Sequence, residues 1–134
     1  MMKKMNLVVL ASGGGTNLQA IIDNIEAGKL YAQIKAVISN NSKSGALERA
    51  RNHNIRDVHL SQKQFATPEE FNQKLLSVLK EKETDLVILA GYMKMISPMV
   101  IREYKNKIIN IHPALLPSFG GKGMYGIHVH EAVL

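Results

Sequence analysis

The stretch Asn6-Leu7-Val8-Val9-Leu10-Ala11-Ser12-Gly13-Gly14-Gly15-Thr16-Asn17-Leu18 carries the fold of the whole chain. Residues 6–11 read as the first strand, apolar almost throughout, as a strand covered on both faces by helices should be, and such a strand belongs in the middle of a parallel sheet. A run of glycines follows. Leu18, Ile21, Ile22 and Ile25 then fall at i, i+3, i+4 and i+7, one face of a helix that ends near Gly28. Strand, glycine loop and helix in that order open a βαβ unit.

The alternation continues downstream. Residues 34–39 read as a second strand, 40–44 as a polar loop, 46–53 as a second helix and 58–60 as a short third strand. Thr67-Pro68-Glu69-Glu70 is a helix start, with Thr67 as N-cap, Pro68 at the first helical position and Glu70 placed to close a capping box. The helix that follows turns Phe71, Leu75, Leu76 and Leu79 inward. Residues 85–90 form a fourth strand closed by Gly91, Ser97-Pro98 opens a short helix, and 107–111 form a fifth strand. Pro113, Pro117 and the glycines up to Gly126 read as a loop, and Ile127 to Leu134 as the start of another helix. The expected fold is an open, mostly parallel, Rossmann-like α/β sheet with helices on both faces, one domain over residues 1–134.

Composition bounds the chemistry. The chain has 134 residues, 46% apolar and 21% charged, the balance of an ordinary globular domain. It has no cysteine, which excludes disulfide scaffolds, thiolate zinc sites and thiol catalysis and fits a cytoplasmic setting. Apolar runs such as Leu86-Val87-Ile88-Leu89-Ala90 are far shorter than the roughly eighteen residues a membrane span needs. Met1-Met2-Lys3-Lys4 is basic, yet no cleavage pattern follows, so neither export nor a membrane is expected. The net charge of +6 is scattered, and the four tyrosines and three phenylalanines do not interleave with basic clusters. That favours a small anionic ligand over nucleic acid.

In an open parallel sheet, ligands bind beyond the carboxyl ends of the strands. After the first strand, Ser12-Gly13-Gly14-Gly15-Thr16-Asn17 leads straight into a helix, so backbone N–H groups and the positive helix end surround a hollow that suits phosphate. The bland alternative is a tight strand-to-helix turn. A dinucleotide fingerprint would want glycine where Leu18 stands and an acidic residue where Ser39-Asn40-Asn41 stands, and a P-loop would want Gly-Lys-Ser/Thr, which is absent.

After the fifth strand, Asn110 and His112 fall on one side of an extended segment, an amide donor beside an imidazole whose ordinary pKa of about 6.5 allows proton transfer at neutral pH. Position at a strand's carboxyl end weighs against a merely structural histidine. His128 and His130 could join His112 on a metal, but on a helix they face different ways and no carboxylates accompany them, so no metal is expected. The loop Gly91-Tyr92-Met93-Lys94-Met95-Ile96 is rich in methionine, which by itself more often signals core than a ligand pocket.

Together these loops resemble the phosphoribosylglycinamide formyltransferases, folate-dependent enzymes of purine synthesis, along all 134 residues. The motifs are Val8-Val9-Leu10-Ala11-Ser12-Gly13-Gly14-Gly15-Thr16-Asn17-Leu18-Gln19-Ala20-Ile21-Ile22, then Leu89-Ala90-Gly91-Tyr92-Met93, and Asn110-Ile111-His112-Pro113-Ala114-Leu115-Leu116-Pro117. The last is common to folate-dependent formyl-transfer enzymes, including methionyl-tRNA formyltransferase and formyltetrahydrofolate hydrolase; the first narrows the choice. The resemblance implies that Ser12, Gly13, Gly14, Gly15, Thr16 and Asn17 form the substrate site, with Gly15, Thr16 and Asn17 on the phosphate. It implies that Met93, Lys94, Met95, Ile96 and Asn110 bind 10-formyltetrahydrofolate, and that Asn110 and His112 are catalytic.

The implied reaction is formyl transfer to the amine of 5-phosphoribosylglycinamide, without metal. The alternatives are a formyltetrahydrofolate hydrolase and a non-catalytic phosphate-ligand-binding module. Two departures stand out. Phe119-Gly120-Gly121-Lys122-Gly123 has glycine where the family commonly has proline. Family members also run on for roughly another third of their length, which supplies the last strands and an aspartate that pairs with the catalytic histidine; after Asn110 this chain has only Glu131. The expectation is therefore phosphate binding with little turnover by this chain as given, and an exposed apolar sheet edge beyond the fifth strand.

Overall fold

The computed structural model describes residues 3–116 and 124–131. Strands β1 (Met5–Leu10), β2 (Ala32–Ser39), β3 (Asp57–His59), β4 (Leu86–Ala90), β5 (Ile108–Leu116) and β6 (Met124–Glu131) form one sheet in the order β3-β2-β1-β4-β5-β6. β1 to β5 are parallel, and β6 runs antiparallel along β5. The central place of the first strand is as expected. Four helices connect them: α1 (Thr16–Glu26), α2 (Gly45–Asn52), α3 (Pro68–Glu81) and α4 (Pro98–Glu103).

Alternation along β1 explains its unbroken apolar run. Leu7 and Val9 lie under Leu18, Ile21 and Ile22 of α1 and Ala46, Leu47 and Ala50 of α2. Val8 and Leu10 lie on the other face, with Phe71, Leu75, Val78 and Leu79 of α3 and Val100 of α4. Both faces are dry, and each fully buried Leu or Val contributes about 1.5–3 kcal/mol relative to an exposed one. The chain steps from β1 through β2 to β3 with its helices on one face, then returns to β4 and β5 with its helices on the other. The direction reverses between β1 and β4, and a crevice opens there at the carboxyl ends.

Helix ends follow local chemistry. α1 stops where Gly28 takes φ +75° and its N–H donates to the Ile25 carbonyl at 3.0 Å. Thr67 Oγ1 accepts from Glu70 N–H at 3.2 Å, as expected of an N-cap. The Glu70 carboxylate, however, accepts from Ala66 N–H at 3.3 Å rather than from Thr67, so the expected box closes one residue early. A full capping box stands at a 3₁₀ turn over Gln62–Gln64 instead, where Gln64 Oε1 accepts from Ser61 N–H at 2.7 Å.

The carboxyl-terminal part differs from expectation. β5 runs on to Leu116, so Pro113 to Leu116 are strand and not loop, and Met124–Glu131 is a strand rather than the beginning of a helix. Two causes are visible. Tyr125, Ile127 and Val129 alternate with Gly126, His128 and His130, a period of two rich in β-branched and aromatic types, and β5 offers an unpaired edge. β6 satisfies that edge, so the open border expected beyond the fifth strand is paired with β6. Glu131, expected on a helix, stands opposite Ile109. Pro117 and the segment Phe119-Gly120-Gly121-Lys122-Gly123 lie outside the described residues.

Candidate active site

The glycine loop is held from behind by α2. Gly15 is the N-cap of α1 at φ +81°, with no side chain capping the helix, so the first-turn N–H groups face outward uncapped. A Cβ on Gly15 would lie 2.7 Å from Ala46 Cα and 3.1 Å from Arg49 Cδ, which fixes glycine there by both conformation and space. Ala46 N–H donates to the Gly13 carbonyl at 3.1 Å, and Arg49 Nε to the Gly14 carbonyl at 2.7 Å. Both carbonyls are thereby turned toward α2. On the opposite side Gly13, Gly14, Gly15, Thr16 and Asn17 join Ala90 and Gly91 around a hollow of ≈ 160 Å³.

Gly13 and Gly14 are a different case from Gly15. Neither has positive φ, and a Cβ at either would meet no atom of the described residues within 4 Å. Among the described residues, nothing that a Cβ would meet asks for glycine at these positions.

Ser12, expected with these residues at the substrate site, does not line the hollow. Its hydroxyl donates to Asn40 Oδ1 at 2.6 Å and accepts from Met93 N–H at 2.8 Å, and its own N–H donates to the Gly91 carbonyl at 3.2 Å. The loops after β1, β2 and β4 are thus joined at one side chain.

In the loop after β4, Met93 is 80% and Met95 93% exposed, so the inference from methionine content to core fails for these two. Their neighbours anchor them: Tyr92 and Ile96 pack on the core beneath α3 and α4. Lys94 reaches the mouth of a second hollow of ≈ 160 Å³ shared with Asn40, Ser61, Lys63, Phe71 and Tyr92. Burial pushes the Tyr92 phenol above its ordinary pKa. Unfolded, the phenol ionises near pH 10; folded, it holds its proton to higher pH, so the folded state binds more protons in that window and stability falls as pH rises through it. Tyr92→Phe is expected to flatten this alkaline loss of stability, as measured by denaturant midpoints on either side of pH 10.

Asn110 is half-buried on β5, in register with Leu89 of β4 and with His130 of β6. His112 follows two positions on in the same strand, opposite His128. The backbone therefore puts residues 110 and 112 on one face of β5, as expected from alternation; the side chain of His112 lies outside the described residues. The helical geometry that set His128 and His130 apart does not hold, because i and i+2 of a strand share a face. A further hollow of ≈ 250 Å³, lined by Ile22, Ile25, Ile34, Ile55 and His53, lies near the beginnings of β1 and β2, at the far end of the strands from these loops.

Sequence reasoning did not bring Asn40, Arg49 or Lys63 to these loops, where the structure places them. Arg49 stood in a helix whose face could be counted, but its reach to Gly14 depends on how closely α2 approaches α1.

The whole arrangement, from β1 onward, matches the formyl transferase family over residues 5–134. The chain belongs to that family. Among its relatives is the chloroplastic phosphoribosylglycinamide formyltransferase of Vigna unguiculata, 40% identical over 133 residues, covering 98% of this chain and 42% of that protein. The solved glycinamide ribonucleotide transformylase 1 of Geobacillus kaustophilus superposes with a TM-score of 0.85 at 35% identity, covering 98% of this chain and 76% of that one. A formyltetrahydrofolate deformylase from Pseudomonas putida KT2440 matches with a TM-score of 0.79 at 28% identity, covering 98% of this chain and 49% of the other. The chain thus spans less than half the length of the Vigna formyltransferase. Among the described residues, no helix of this family member is long and apolar enough to cross a membrane.

Proposed function

We propose that the protein transfers the formyl group of 10-formyltetrahydrofolate to the amine of 5-phosphoribosylglycinamide. The observation that carries this reading is the pair Gly13 and Gly14. They are glycine without a positive φ, a Cβ on either would meet none of the described residues within 4 Å, and they line a hollow at an uncapped helix N-terminus, which supports close approach of a ligand there. A phosphate there accepts from N–H groups of the loop, with Thr16 and Asn17 adding side-chain donors.

Placing the phosphate at the β1 loop sets the rest of the substrate across the crevice between β1 and β4. Exposed Met93 and Met95, with Lys94 and Ile96, offer an apolar shelf for the flat ring of the folate, and Asn110 stands one strand further on. The substrate amine attacks the formyl carbon, and the carbonyl π pair moves onto oxygen. The Asn110 amide and protonated His112 donate to that oxyanion. The oxyanion then collapses, the bond to N10 breaks, and the proton lost by the amine is returned to N10, leaving a formamide and tetrahydrofolate. No covalent enzyme intermediate and no metal enter the scheme. The setting proposed is the cytoplasm, with small-molecule partners and neither nucleic acid nor membrane.

A hydrolase is the second reading, favoured by the match to the deformylase. Tetrahydrofolate release from 10-formyltetrahydrofolate, followed with and without the ribonucleotide in the intact protein, separates the two. Release that requires the ribonucleotide is expected; release indifferent to it supports hydrolysis.

A further inference from the structure

We propose that Ser12 is a positioning residue that ties the folate loop to the phosphate loop, and that it does not bind phosphate itself; this rests on the functional reading above. A serine hydroxyl has one proton and two lone pairs. In Ser12 the proton goes to Asn40 Oδ1 at 2.6 Å and one lone pair takes Met93 N–H at 2.8 Å. A phosphate oxygen needs a donor, and this hydroxyl has no second proton to give. Its place in the glycine motif is accounted for by what it joins.

What it joins is the only backbone hydrogen bond made by segment 92–96 among the described residues: Met93 N–H to Ser12 Oγ. The Ser12 N–H to Gly91 carbonyl bond, at 3.2 Å, fixes the residue just before that segment. Asn40, the residue after β2, aims the hydroxyl so that its lone pair faces Met93. Tyr92 and Ile96 anchor the ends of the segment on the core, and the exposed stretch of Met93 to Met95 between them has little packing of its own, so its backbone is held at Met93 by this tie. Ordering the shelf before the folate arrives lowers the cost of binding it, and movement of the glycine loop is passed to the shelf through Ser12.

Three variants test this. In the ligand-free intact protein, Ser12→Ala is expected to speed amide hydrogen exchange at Met93 about tenfold while exchange over Gly13–Asn17 keeps its rate. By calorimetry the same variant should bind inorganic phosphate as the parent does and tetrahydrofolate about tenfold more weakly, and Ser12→Thr, which retains the hydroxyl, should restore both readouts. Asn40→Ala leaves Ser12 in place and should shift exchange and tetrahydrofolate binding in the same direction by a smaller factor, which keeps the test open if Ser12→Ala does not fold. Unchanged exchange at Met93 in both alanine variants overturns the proposal. So does a loss of phosphate affinity in Ser12→Ala as large as the loss for tetrahydrofolate. A parent protein that binds neither probe sinks the functional reading instead, and the exchange measurement still decides whether Ser12 holds the loop.

Discussion

Replacing His112 by alanine is expected to lower kcat for formyl transfer by about 10²–10⁴-fold, the range that a positioned proton donor contributes. The reaction makes an oxyanion and then expels a nitrogen that must be protonated, so the step depends on a group able to hold and release a proton near neutral pH. Histidine is the side chain whose ordinary pKa of about 6.5 allows this. Position 112 is two residues beyond Asn110 in β5, and the pair shares a face at the carboxyl end of the sheet. Phosphate binding is assigned to a different loop, after β1. The variant should therefore keep its affinity for inorganic phosphate within about twofold, since that binding is assigned to a separate loop. Single-turnover kinetics with calorimetry in parallel separates the two effects. Normal turnover in the variant would remove His112 from the chemistry.

Gly15→Val should act on the fold as well as on the site. The left-handed backbone at φ +81° costs a residue with a Cβ roughly 1–2 kcal/mol, and a β-branched one is worse placed still. The added Cβ also meets Ala46 Cα at 2.7 Å, a backbone atom inside α2 that cannot swing aside. Overpacking of this kind typically costs a further 1–3 kcal/mol or so. Stability should fall by about 2–5 kcal/mol in denaturant titrations, and ribonucleotide binding should be lost because the loop and the first turn of α1 move together. Gly13→Ala provides the contrast. Its Cβ meets none of the described residues, so stability should stay within about 0.5 kcal/mol while phosphate affinity falls. If Gly13→Ala bound phosphate normally, the hollow would not be the phosphate site.

Much of the fold was legible because a parallel sheet buried on both faces writes itself as continuous apolar runs, and β1, β4 and the apolar stripe of α1 are read directly from residues 7–25 and 86–90. The glycine loop was legible for the same reason: it sits between two clear elements. β6 was misread although its alternation of Tyr125, Ile127 and Val129 was in the sequence, because a strand pairs only when an edge is free, and the free edge of β5 is a tertiary fact. The capping of α3 was read one residue out, since whether Glu70 reaches Thr67 or Ala66 depends on the path of the preceding chain.

Site residues divide along the same line. Asn110 and the glycines were singled out by local pattern, and their roles rest on the proposed function. The hydrogen bonds of Ser12 could not be seen locally, because its partners Asn40 and Met93 are 28 and 81 residues away in sequence. Arg49 reaches its carbonyl across 35 residues, and only the packing of α2 against the start of α1 brings them together. Methionine in the loop after β4 suggested core by composition alone, whereas the neighbours Tyr92 and Ile96 supply the anchoring and leave Met93 and Met95 exposed.

The central claim, that the amine of a phosphoribosylglycinamide receives the formyl group at this site, is tested most directly by following the carbon itself. The intact protein is given 10-formyltetrahydrofolate labelled in its formyl carbon together with the ribonucleotide, and the products are separated. The label should appear in the formamide of the ribonucleotide in step with the tetrahydrofolate released. Label recovered as free formate, with the ribonucleotide unmodified, would contradict it.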